Sequence, residues 1–357
     1  MTKAIVGVIG AGTMGAGIAQ VALEAGHEVV LNDVDEAAIE RGRARVREGL
    51  ARRAARLDLD ADSIDEWVDG RLERLRDGHS LDAVGAEADV VVEAALEDLD
   101  LKRTIFRALD AAVGDRNGVI LATNTSALSV GAIADATTRP GRVVGLHFFN
   151  PAPVMALVEV VAHDRSDPAI VDRAVALVEA WGKVPVRSTD SPGFIVNRVN
   201  RPYTIEALRM VEADEASVEA IDEAMREAGF PMGPFELMDL VGIDVNLAAA
   251  RAVWHGLGRP DRLRPSPIQE RLVATERLGR KSGSGFYRYD VGRRTGLDVE
   301  FADAGSRIDT EAIRERILGA VSAEAIRARD DGVASAADIE RALKLGAAHP
   351  RSPFEGS

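Results

Sequence analysis

Cysteine is absent from the 357-residue chain, which removes disulfides, thiolate nucleophiles and thiolate metal sites in one step. No metal is expected, and whatever chemistry occurs must use other side chains. Lysine is nearly absent too, confined to positions 3, 102, 183, 281 and 344, so the cations are overwhelmingly arginine. Asparagine occurs seven times and glutamine twice, so the amides that remain draw attention to where they fall. No run approaches the roughly 18 apolar residues of a membrane span. The opening Met1-Thr2-Lys3-Ala4 leads into a strand pattern instead of a cleavable signal, so a soluble, cytoplasmic protein without a membrane partner is expected. A formal net charge of −14 argues against a nucleic-acid partner, and a polyanionic substrate would need a local basic patch.

What is present is 46% hydrophobic residues, enough for a large core, and a length that suggests two domains. Short β-branched runs at Ala4–Ile9, Glu28–Asn32, Asp89–Glu93, Val119–Thr123, Val143–His147, Leu157–Val161 and Val184–Arg187 alternate with helical stretches. That alternation predicts an α/β fold, a doubly wound, mostly parallel sheet of Rossmann type covered by helices. Ala37–Leu75 reads as helical throughout and is too long for one crossover, which predicts a helical hairpin inserted into the sheet domain. Thr189-Asp190-Ser191-Pro192-Gly193 reads as a linker, and strand patterning stops after it, so the C-terminal part is expected to be all-α.

A weak repeat runs through that part at a spacing of 118 residues. Asn197-Arg198 aligns with Glu315-Arg316, Glu206-Ala207 with Glu324-Ala325, Ala216-Ser217 with Ala334-Ser335 and Ile221 with Ile339. After a one-residue slip, Pro234-Phe235-Glu236 aligns with Pro353-Phe354-Glu355. The expected organisation is a dinucleotide-binding domain over residues 1–188, a helical substrate and dimerisation domain over 189–290, and a shortened second helical copy over 305–357.

The strand Val6-Gly7-Val8-Ile9 runs straight into Gly10-x-Gly12-x-x-Gly15, and Ile18 to Ala25 continues as a helix. In that context Gly10 makes a tight turn, Gly12 lets backbone approach a pyrophosphate, and Gly15 packs helix on strand. The helix N-terminus then faces the phosphates. Asp33 ends the second strand 18 residues after Gly15, where a carboxylate accepts hydrogen bonds from ribose hydroxyls and repels a 2′-phosphate. NAD is therefore favoured over NADP. FAD binding and a purely structural glycine turn share the pattern.

His147 closes the strand Val143–Leu146, at the sheet edge where ligands collect in such folds. Phe148-Phe149-Asn150-Pro151-Ala152-Pro153 cannot continue it, and the next strand carries Glu159 among apolar neighbours. If the strands lie side by side the two can meet, as a catalytic base with its orienting carboxylate or as a structural pair closing a hairpin. Ser126 follows Thr123-Asn124-Thr125 at the same edge, fit to contact substrate or to cap a helix. Asn197 lies just past the linker, able to hydrogen-bond a carbonyl or to make a helix contact.

Taken together, Val8–Gly15, Thr123–Ser126, His147–Met155 and Ser191–Arg198 resemble the L-3-hydroxyacyl-CoA dehydrogenase family, and the likeness continues through Pro231–Phe235 and Lys281–Tyr287. The resemblance implies NAD-dependent oxidation of an L-3-hydroxyacyl-CoA to the 3-oxoacyl-CoA. His147 would act as base with Glu159 as partner, and Ser126 and Asn197 as substrate contacts. It implies cofactor contacts at Thr13, Met14, Glu97, Lys102, Asn124, Asn150 and Lys281, beside Gly10, Gly12, Gly15 and Asp33. It places CoA by the Arg-rich insert, with Arg56 matching a basic contact, while Gly49 stands where the family often has serine. It also implies that the second helical copy, with Glu315 in place of Asn197, is structural, and that the protein forms a homodimer. A same-fold dehydrogenase of a free hydroxy acid or polyol, of carnitine or gulonate type, would keep the glycine loop and the His–Glu pair. A non-catalytic NAD sensor would be marked by loss of His147 or Glu159, and both are present.

Overall fold

A computed structural model of the chain describes residues 3–57, 59–301 and 305–355. The chain divides into two compact units, Met1–Asp190 and Ser191–Ser357.

The first unit opens with β1 (Ile5–Ile9), α1 (Thr13–Glu24) and β2 (Glu28–Asn32), followed by α2 (Glu36–Ala54), α3 (Ala61–Leu72) and β3 (Leu75–Asp77). It continues through α4 (Leu81–Glu87), β4 (Val90–Glu93), α5 (Leu99–Val113), β5 (Ile120–Thr123) and α6 (Val130–Ala134). It ends with β6 (Val143–Phe148), β7 (Leu157–Ala162), α7 (Pro168–Ala180) and β8 (Val184–Thr189). The eight strands form one sheet in the order β3-β2-β1-β4-β5-β6-β7-β8, parallel except where β7 reverses against β6. The central strands are buried along almost their whole length, which is why they read as unbroken Val/Ile/Leu runs. Side-chain caps fix the helix starts: Asp35 accepts from Ala38 N, Asp60 from Ser63 N and Asp98 from Leu101 N.

The helical insert is the hairpin α2–α3, but the reading of Ala37–Leu75 as helix to its end needs correction, because Leu75 starts β3. Only Leu75 of that three-residue edge strand is buried, so it carries no alternating pattern to detect.

The second unit contains α8 (Val196–Val199), α9 (Arg201–Glu212), α10 (Val218–Glu227), α11 (Pro234–Val241), α12 (Ile243–Gly256) and α13 (Pro267–Ala274). A two-stranded antiparallel hairpin follows, β9 (Tyr287–Asp290) with β10 (Arg293–Leu297), and then α14 (Thr310–Asp330) and α15 (Ala336–Gly346). The hairpin corrects the expectation of an all-helical C-terminal part. Its Tyr-Arg-Tyr-Asp and Arg-Arg-Thr-Gly-Leu strands are mostly solvated, and its turn uses Val291 and Gly292, both at positive φ, where Asn-Gly would be the usual signal.

Within this unit the aligned segments are related by an exchange. Arg198 Nε donates to Glu324 Oε1 at 3.0 Å, and the corresponding pair with the copies reversed, Arg316 Nε to Glu206 Oε2, is also 3.0 Å. The aligned serines Ser217 and Ser335 cap α10 and α15 in the same way. The aligned segments are thus joined by the same type of ion pair in both directions.

His349, in the segment after α15, is buried against Phe230 and Tyr203, and its Nε2 donates to Asn200 Oδ1 at 2.8 Å. Burial lowers its pKa from 6.5 to about 4. A depressed folded-state value contributes stability that is full above pH 6.5 and lost as pH falls through about 4, a span worth about 3 kcal/mol. His349→Gln should therefore unfold with a smaller loss of stability between pH 7 and pH 4 than the parent chain. Urea titrations at both pH values measure this, and equal acid losses would refute it.

Candidate active site

In the turn from β1 into α1 two glycines, Gly10 and Gly15, stand where no side chain fits. Gly10 has φ +98°, and a Cβ there would lie 2.6 Å from Ala94 O. A Cβ on Gly15 would lie 1.7 Å from Gly10 O, so only hydrogen lets the helix pack this close to the strand. Gly12 caps α1 without any side-chain hydrogen bond, and a Cβ there would meet nothing within 4 Å. The first amides of α1 are thus left uncapped by side chains beside open space, an arrangement fit for an anion. Asp33 Oδ2 accepts from Ala11 N at 2.6 Å and Oδ1 from Val34 N at 2.7 Å, which ties the end of β2 to the glycine loop.

The reversal of β7 against β6 places His147 directly opposite Glu159. His147 Nδ1 and Glu159 Oε2 are 2.5 Å apart, with Glu159 fully buried and His147 only 6% exposed. A buried carboxylate at that distance accepts the Nδ1 proton in a hydrogen bond and orients the ring. The Phe149 ring lies 4.6 Å from the imidazole, centroid to centroid, and helps fix its plane.

Ser126 stands on a turn organised by Glu97. The Glu97 Oε1 atom accepts from Thr125 Oγ1 at 2.6 Å, from Ser126 N at 2.9 Å and from Ala127 N at 3.2 Å, and the Ser126 hydroxyl lies 3.3 Å away. Burial pushes this carboxyl up, but the Thr125 hydroxyl, the Lys102 ammonium and the two amides outweigh it, and the net shift is downward. Beneath it Lys102, 1% exposed, donates to Glu93 Oε1 at 2.6 Å, while Glu93 Oε2 accepts from Thr123 Oγ1 at 2.7 Å. Asn124 Oδ1 accepts from Phe148 N at 2.8 Å and so links this turn to the strand that carries His147.

Next to the glycine loop is a cavity of about 510 Å³ whose wall includes Thr13, Arg45, Arg52, Arg53, Arg56 and Asn150. Not every arginine of the insert faces it freely. Arg43 pairs with Asp77 and Arg47 with Asp69, while Arg53 lies 3.6 Å from Glu24. A Cβ on Gly49 would approach Gln20 Oε1 to 2.1 Å, so the absence of serine there is matched by the Gln20 side chain. The opposite wall, Asn150 to Val154, is held from behind by Lys183, whose Nζ donates to the carbonyls of Ala152 (2.7 Å), Pro153 (3.1 Å) and Met155 (2.9 Å). Burial lowers the Lys183 pKa.

Met14 packs partly buried against the core of the first unit. Asn197, on α8, and Lys281 belong to the second unit. Lys281 Nζ is held by Asp244 at 2.6 and 2.7 Å, so its charge is already compensated there. Among the described residues no group of His, Asp and Glu could hold a metal, and no helix is long and apolar enough to cross a membrane.

The sequence reading missed Glu93, Thr123, Thr125 and Lys183. Lys183 had a usable signal, being one of five lysines in the chain. Glu93 was visible as a carboxylate ending an apolar strand, the same signal that singled out Glu159. Lys183→Met should cost about 3 kcal/mol, because the buried carbonyl of Ala152 and the partly buried carbonyls of Pro153 and Met155 lose a charged donor. Calorimetric unfolding measures it, and an unchanged midpoint would show that water replaces the ammonium.

Comparison with known proteins gives this geometry a lineage. A family model described as 3-hydroxyacyl-CoA dehydrogenase, NAD binding domain, matches residues 5–191, and the one for the C-terminal domain matches 193–289 and 313–357. The 3-hydroxyadipyl-CoA dehydrogenase of Escherichia coli is 45% identical over 83% of this chain, which spans 61% of that longer protein. The mitochondrial hydroxyacyl-coenzyme A dehydrogenase of Rattus norvegicus is 44% identical over 79% of the chain and 90% of its own length. Among solved structures, a 3-hydroxybutyryl-CoA dehydrogenase from Escherichia coli superposes with a TM-score of 0.88 at 35% identity, covering 99% of this chain and 91% of that one. With both of its domains matched along nearly the whole chain, the protein belongs to the 3-hydroxyacyl-CoA dehydrogenase family.

Proposed function

We propose that the chain catalyses the reversible, NAD-dependent oxidation of L-3-hydroxyacyl-CoA to 3-oxoacyl-CoA. The observation that carries this reading is the buried His147–Glu159 pair at the carboxyl edge of a sheet whose first turn is a complete dinucleotide loop. Gly10, Gly12, Gly15 and Asp33 hold NAD, aided by Thr13 and Met14 and by Glu97, Lys102, Asn124, Asn150 and Lys281. NAD supplies the hydride acceptor. His147 Nε2 takes the proton of the 3-hydroxyl as the C3–H bond is broken, and Glu159 stabilises the imidazolium that forms. Ser126 and Asn197 donate to the substrate oxygens. Arg56 and its neighbours on the 510 Å³ cavity offer cations for CoA phosphates. In this division residues 1–188 bind cofactor, 189–290 bind substrate and carry the dimer contact, and 305–357 are structural.

His147→Ala should lower kcat for acetoacetyl-CoA reduction by about 10³-fold with little change in NADH affinity. A variant with full activity would refute the assignment of the base. Asp33→Ser should narrow the preference for NAD over NADP by about tenfold, since it removes both the ribose acceptor and the negative charge facing a 2′-phosphate. The ratio of kcat/KM for the two cofactors reads this out.

The reading extends to a cytoplasmic homodimer. Leu240, Val241 and Val245, at the α11–α12 junction, are 46%, 47% and 51% exposed and give an apolar face that a second copy could cover. Light scattering should give twice the chain mass, and a monomeric mass would overturn this part alone.

A further inference from the structure

We propose that the second helical copy acts as a clamp that positions Asn197, with His349 and Glu324 as its positioning residues. This rests on the reading above that Asn197 contacts the substrate. Asn197 sits on α8, a single turn of four residues, and α8 ends at Asn200, where a new helix begins with Arg201-Pro202. One helical turn has almost no stability of its own, so the direction in which it presents a side chain must be set by what grips it.

The grips lie just C-terminal to Asn197, at Arg198 and Asn200, and come from the second copy. One residue on, the Arg198 guanidinium is 1% exposed, and its Nε donates to Glu324 Oε1 at 3.0 Å while Nη2 pairs with Asp331. Glu324 is itself buried and is braced by Arg262 through bonds of 2.7 and 3.2 Å. Three residues on, Asn200 Oδ1 accepts from His349 Nε2 at 2.8 Å, at the point where the backbone turns from α8 into α9. Glu324, Asp331 and His349 all lie beyond residue 305 and touch neighbours of Asn197 in sequence.

The copy carries Glu315 where the first has Asn197, so it repeats the scaffold without the polar amide. The exchange of ion pairs is reciprocal in form but unequal in burial. Arg198 is 1% exposed, whereas its counterpart Arg316 is 35% exposed. The tighter grip is on the segment that bears Asn197.

A double-mutant cycle tests this, with kcat for acetoacetyl-CoA reduction and NADH affinity as readouts. Asn197→Ala should lower kcat by about 10²-fold. His349→Ala, which leaves the Arg198–Glu324 pair intact, should lower kcat by about tenfold with NADH affinity unchanged. His349→Gln, which keeps an N–H donor, should restore most of the rate. In the Asn197→Ala background, His349→Ala should cause no further loss, because a clamp acts only through what it holds. Losses that simply multiply would show a general structural role and overturn the inference. So would a wild-type kcat for His349→Ala alongside a slow Asn197→Ala. A wild-type kcat for Asn197→Ala would instead overturn the reading of Asn197 as a substrate contact.

Discussion

The reversal of β7 against β6 is the constraint on which the proposed catalytic arrangement depends. In a sheet that is otherwise parallel, one antiparallel pairing sets the register His147 opposite Glu159. A slip of one residue would turn both side chains to opposite faces and strand a buried carboxylate without a partner. The loop that makes the reversal must therefore be fixed in length and shape, and Lys183 fixes it by gathering three of its carbonyls. Loop, register and the His147–Glu159 pair form one mechanical unit.

The rest of the first unit repeats the same solution, in which a charged side chain, buried or only partly covered, organises backbone instead of merely stabilising it. Glu97 gathers the amides of the turn that carries Ser126, Lys102 and Glu93 sit beneath it, and Asp33 ties the glycine loop to β2. Each uses charge-assisted hydrogen bonds, stronger than neutral ones, and at the buried Lys102–Glu93 pair losing one partner is most costly. The second unit does this across its internal repeat, through Arg198 with Glu324 and Arg316 with Glu206.

Much of this was legible in the sequence because it is local. The glycine loop is a conformational requirement expressed within six residues, and the strands were legible because full burial demands continuous apolar runs. The α2–α3 hairpin was readable from its length. What escaped was structure whose stability is not local. Strand β3 has a single buried residue, and the β9–β10 hairpin is held by Asp239, which accepts from Phe286 N and Tyr287 N across 47 and 48 residues of sequence. No pattern within either segment records those partners.

By itself the sequence pointed to the class of chemistry: a dinucleotide loop with an acidic residue after the second strand, a histidine at a strand end and a glutamate within the apolar strand that follows. Those follow from residue type and short spacing, since backbone geometry and side-chain charge act over a few ångströms of contiguous chain. Only the tertiary structure decided that His147 Nδ1 meets Glu159, that Lys183 shapes the wall of the cavity, and that residues 126 to 149 positions downstream grip the turn around Asn197. Such contacts close long loops, and the identity of the partner is set by packing that no local pattern encodes.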